Sequence, residues 1–62
     1  MKLKNLIDVI YSDLTIEIFN EDLITIFKGK VWDIPDKLNF KKVRWVDVSS
    51  YENRTLMVSI KK

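Results

Sequence analysis

The side chains with most chemical potential in this 62-residue chain are cations interleaved with aromatic rings. Lys28, Lys30, Lys41, Lys42, Arg44, Arg54, Lys61 and Lys62 lie from the second predicted strand onward. Trp32, Phe40, Trp45 and Tyr51 stand among them. Bases stack on aromatic rings while cations follow phosphate, so such a mixture on one sheet face is the chemistry of a single-stranded nucleic-acid platform. The competing reading is that these are solvated strand residues, which also deter strand-to-strand aggregation. The second reading carries more weight. Eleven basic and nine acidic residues leave a net charge of only +2, too weak a field to argue for a polyanion by itself. The sequence carries no RNA-recognition pattern or other nucleic-acid signature.

Other chemistry is poorly supplied. The chain has no Cys and no His, which excludes disulfides, Cys/His zinc sites, and imidazole or thiolate catalysis. Asp33 and Asp36 flank Ile34-Pro35, but two carboxylates three residues apart do not make a cation site. Glu17 and Asp47 lie on different predicted strands, and their separation is not fixed by sequence. Ser12, Ser49, Ser50 and Ser59 have no base to activate them. Lys28-Gly29-Lys30 has a single glycine, where a phosphate loop needs several. Asn53-Arg54-Thr55 matches a glycosylation acceptor and reads as a turn. The expectation is a protein that is not an enzyme and holds no cofactor or metal.

The elements that position these residues follow from periodicity. Leu3, Leu6, Ile7 and Ile10 recur at helical spacing, which predicts a short helix over 2–11 closed by Ser12-Asp13. Such a helix is too short to stand alone in water and must dock its apolar stripe. Leu14–Phe19 switches to period two, and Leu23–Val31 resumes strand chemistry after Asn20-Glu21-Asp22; the two form a hairpin. Gly29 marks a bulge or a close approach. Trp32–Leu38 breaks the pattern: Pro35 opens one helical turn, with Ile34 and Leu38 plugging the core edge. Lys42–Val48 is a third strand, with Val43 and Trp45 on one face and Val46 and Val48 on the other. Ser49–Arg54 is a turn cluster, and Thr55–Ile60 alternates with Leu56, Val58 and Ile60 inward.

The predicted fold is α+β, one small domain over 1–62. The N-terminal helix packs on one face of a four-stranded antiparallel sheet made of two hairpins. A small β-barrel-like fold with the helix as a lid is the alternative. One helix covers one face, so Phe19, Phe27, Trp45 and Met57 are expected on the other. Aromatics and methionine are favoured on binding surfaces. The candidate binding residues are therefore Phe27, Lys28, Lys30, Trp32, Lys42, Arg44, Trp45 and Met57. The expected function is a protein-interaction or self-associating module using the sheet face opposite the helix. The alternative is a single-stranded nucleic-acid-binding module using the basic and aromatic residues of the later strands.

Composition is globular, at 47% hydrophobic and 32% charged. A core this small supplies only about 3–5 kcal/mol of net stability, so a weak homodimer through the open face or a sheet edge is expected. The sequence has no signal-peptide pattern and no apolar run long enough to span a bilayer. Cytoplasmic localisation with no membrane partner is expected, in line with the lack of Cys.

One resemblance adds to this reading. It rests on Lys2-Leu3 with Leu6-Ile7 and Val9-Ile10, then Ile16-Glu17-Ile18-Phe19, Ile26–Val31 and Asp33-Ile34-Pro35. Over its first half the chain resembles short uncharacterised proteins carried by prophages and mobile elements of Gram-positive bacteria. The resemblance implies a cytosolic accessory protein whose targets are host or phage macromolecules. It carries no catalytic or binding residue over to this sequence.

Overall fold

A computed structural model describes residues 1–10, 13–49 and 54–62. The order of elements is α1 (Leu3–Val9), β1 (Thr15–Phe19), β2 (Thr25–Lys30), two single-turn 3-10 helices (Val31–Asp33 and Asp36–Leu38), β3 (Val43–Val48) and β4 (Thr55–Ile60). The strands form one open sheet in the order β2-β1-β4-β3. Both expected hairpins are present, β1 with β2 and β3 with β4. The sheet is not wholly antiparallel, because β1 and β4 run parallel at its centre. It is not a barrel either, since β2 and β3 are its edges.

Charge explains this order. The edge strands carry Lys28 and Lys30 on β2 and Arg44 and Asp47 on β3. The central pair carries only Glu17. An edge tolerates charge and uses it to discourage further pairing. The β3 edge is also blocked locally: the Val48 N–H donates to its neighbour Asp47 Oδ1 at 2.8 Å.

One face of the sheet is closed by α1 and by the crossover from β2 to β3. Leu3, Ile16, Ile18, Ile34, Leu38, Val58 and Ile60 form the buried core, with Leu6, Ile7, Ile10, Phe27, Val31, Val43 and Leu56 packed around it. The 3-10 turns place Ile34 and Leu38 in the core edge as expected. The two-turn helix is held by backbone as much as by its stripe. Its first free N–H groups, on Leu3 and Lys4, donate to the Lys41 and Asn39 carbonyls of the crossover, both at 2.8 Å. Those groups would otherwise lack an intrahelical partner. The Lys2 N–H donates to Asn5 Oδ1 at 3.2 Å. Lys2 also pairs with Lys42 as an isolated antiparallel bridge, and the Val43 N–H donates to the Met1 carbonyl at 2.8 Å.

Two expectations about side-chain direction are corrected. Phe27 stands opposite Ile18 in the β1–β2 register and packs on the core, not on the open face. Its ring lies across Gly29, where an added Cβ would come within 3.1 Å of Phe27 Cζ. Val43 and Trp45 do not share a face. The β3–β4 register shifts between them, so Val43 points to the helix side of the sheet with Val46 and Val48, which remain exposed beyond the helix, while Trp45 turns to the other. The helix is also shorter than 2–11, ending at Val9 with Ile10 as its cap. Tyr11 and Ser12 at its expected close, and Ser50–Asn53 of the expected turn cluster, lie outside the described residues.

Candidate functional site

The face opposite the helix is organised in cross-strand rows, because directly paired residues point to the same side. In the central row Thr25, Phe19, Ser59 and Trp45 stand side by side across the four strands. The next row is Lys28, Glu17, Met57 and Asp47, and the one after it brings Lys30, Thr15 and Thr55 together.

Ser59 is the small residue that makes the central row work. β1 and β3 are two strand spacings apart, about 9.5 Å. The Phe19 and Trp45 rings nevertheless stack at 6.2 Å between centroids, inclined by 30°. They lean inward over β4, and Ser59 beneath them is 0% exposed. A larger residue there would hold the rings apart. Trp45 remains 37% exposed, so the outer side of the pair is open.

Arg44 lies beside this pair. The register shift frees it from pairing, and its Nη1 donates to the Glu21 carbonyl at 3.2 Å and to Ser59 Oγ at 3.4 Å. The guanidinium thus reaches across β4 to the β1–β2 turn. That turn is built by Asn20, whose Oδ1 accepts the N–H groups of Asp22 and Ile24. Leu23 completes it with a φ of 63°. Glu21 accepts the Lys62 N–H at 3.0 Å. That hydrogen bond, with the charges of Arg44, Lys61 and Lys62, holds its carboxyl below the usual range. At the opposite end of the sheet Arg54 pairs with Asp13. The guanidinium holds the Asp13 carboxyl below its usual range, and Lys30 Nζ donates to the Asp13 carbonyl.

The carboxylates do not converge. Glu17 and Asp47 stand on either side of Met57. Glu17 accepts from Thr25 Oγ1 at 2.8 Å, and Asp47 accepts the Val48 N–H. Among the described residues no cluster of carboxylates forms a metal site.

Of the eight residues singled out by sequence, Lys28, Lys30, Arg44, Trp45 and Met57 come together on the open face. Phe27 belongs to the other side. Trp32 lies in the first 3-10 turn of the crossover, 69% exposed. Lys42 sits at the basic corner of the sheet, next to Lys2. Phe19 is on the open face as expected, though not among the eight candidate binding residues, and Ser59 is an addition to the site that the sequence reading lacks. The signal for both was in the alternation: Phe19 is out of phase with Ile16 and Ile18, and Ser59 is the one small residue between Val58 and Ile60.

No family model, curated protein or solved structure matches the chain. Among the described residues no helix is long and apolar enough to cross a membrane.

Proposed function

We propose that this chain is a non-enzymatic accessory module that receives a segment of a protein partner on the open face of its sheet. The observation that carries the reading is the Phe19–Trp45 pair, stacked over a buried serine with Trp45 still accessible. A tryptophan with an adjacent arginine and a polar rim has the anatomy of an interaction hot spot. Met57 beside it supplies an adaptable apolar surface. The likeness to small mobile-element proteins supports an accessory role, and a chain free of cysteine suits the cytoplasm. The same face is where a second copy would pair. Its cations would then oppose one another, so self-association is expected to be weak.

The test is selection of a random peptide library on the immobilised chain. Recovered peptides should lose binding to Trp45→Ala and keep it on Trp32→Ala, which alters an exposed ring in the crossover. Binders that ignore Trp45, or that depend on Trp32 instead, would refute the open face as the site.

A further inference from the structure

We propose that the partner segment is acidic at one end, and that a row of lysines at the corner of the open face reads it. The proposal rests on the binding role of this face. Val43 and Ile60 are paired and point to the core, so the next pair out, Lys42 and Lys61, points to the open side. The Lys61 N–H donates to the Lys42 carbonyl at 2.8 Å, which continues the ladder through them. Lys2 pairs with Lys42 from its outer side. Lys2, Lys42 and Lys61 therefore stand abreast on three adjacent segments, about 5 Å from one to the next.

Like charges directly opposite one another destabilise a sheet. Among the described residues none of the three is in an ion pair, and all three are exposed. Lys2 is steadied instead by Phe40, its ammonium 5.7 Å from the ring centroid. Arg44 lies between this row and the Phe19–Trp45 pair, adding a fourth cation. Glu21 interacts with Arg44 and Lys61 of this group, and its carboxylate already accepts the Lys62 N–H. This corner is a concentration of positive charge beside an aromatic anchor.

The ligand class follows from how charge changes along the strands. The lysine row is followed by the Phe19–Trp45 row, and that by a row holding Glu17 and Asp47 with Lys28 at the margin. A nucleic acid carries the same charge at every step, so a strand crossing from the lysines over Trp45 would meet two carboxylates. A peptide can change sign along its length. Acidic side chains on the lysines, an apolar side chain against Trp45 and a neutral or basic continuation would complement all three rows.

The composition of the selected peptides is the test, with Lys42→Glu as a second bait and oligothymidylate as a separate probe. Peptides recovered on the native chain should be enriched in Asp and Glu on one side of an apolar residue. Their affinity should fall about tenfold on Lys42→Glu and weaken as salt rises. On the Lys42→Glu bait the acidic enrichment should vanish. Trp45-dependent binders with no acidic enrichment, or indifferent to Lys42→Glu, would overturn the lysine row and leave the face as a binding site. Binders that ignore Trp45 would refute the face itself. Oligothymidylate bound as tightly as the best peptide, and lost in Lys42→Glu, would overturn the proposal in favour of nucleic acid.

Discussion

On one face of the sheet Ile16, Ile18, Val58 and Ile60 are closed over by α1 and the crossover, and none is more than 2% exposed. On the other face Ser59 is buried as fully, yet what lies over it is the Phe19–Trp45 ring pair and the Arg44 guanidinium, and Trp45 is itself 37% exposed. The first closure is made by chain whose backbone is tied down, through Leu3, Lys4 and Val43. The second is made by side chains, which change rotamer without unfolding the protein. A face sealed by backbone-anchored elements has no contact to trade. A face sealed by a ring pair can exchange ring-on-ring contact for ring-on-ligand contact at little cost. Stability therefore resides on one side of a single sheet and recognition on the other.

The comparison breaks if both faces respond alike to truncation. Leu3→Ala and Ile18→Ala should each cost about 2–5 kcal/mol, the usual range for a large-to-small change in a packed core. A core of this size supplies only about 3–5 kcal/mol, so both variants should be largely unfolded by circular dichroism at 25 °C. Leu6 and Ile7 are half-buried, and their truncation should fall at the lower end. A folded Leu3→Ala with unchanged melting would show that the helix does not seal the covered face.

On the open face Trp45→Ala should be milder. Loss of an aromatic pair costs about 0.5–1.5 kcal/mol beyond area burial, and Trp45 is partly solvated already. Urea unfolding should show a lower midpoint with an unchanged slope, while Trp45→Phe should restore most of the loss. A cost equal to that of Leu3→Ala would make the two faces one continuous core, with nothing held in reserve for a partner.

Much of this division was legible in the sequence. The helical stripe Leu3, Leu6, Ile7 and Ile10, the two hairpins and the plug formed by Ile34 and Leu38 all follow from local periodicity and turn chemistry. What local pattern does not encode is which strand of each hairpin turns inward. Two hairpins can meet through β2 and β3 or through β1 and β4, and both satisfy the same alternation. The uneven charge of the strands decides it, an argument about neighbours rather than period. The facing of Val43 relative to Trp45 does not follow from period two, for a related reason. An inserted residue in β3 breaks the alternation that assigned Val43 and Trp45 to one side, and no glycine or proline marks the break. Phe27 was misplaced because it was read as a surplus aromatic, although Gly29 two residues on leaves room for its ring.

The smallest expected effect runs against the usual direction. Lys42 stands between Lys2 and Lys61, so its charge is opposed on both sides. Replacing it by Glu turns two repulsive cross-strand neighbours into attractive ones, and an opposite-charge pair contributes about 0.2–1 kcal/mol. Lys61→Glu would be a poorer choice, since Lys61 also faces Glu21. Lys42→Glu should therefore melt above the native chain, by a few degrees on the usual scale of about 4–8 °C per kcal/mol for a domain of this size. In 1 M salt, where screening acts over about 3 Å, the gain should shrink. A variant that is more stable and binds less would show that the corner retains repulsion for the sake of recognition. The covered face offers no such trade, because every truncation there loses stability and exposes no charge to a partner. A melting temperature that stays the same or falls would mean that the three ammonium groups do not stand abreast, and would remove the electrostatic asymmetry between the basic corner and the rest of the open face.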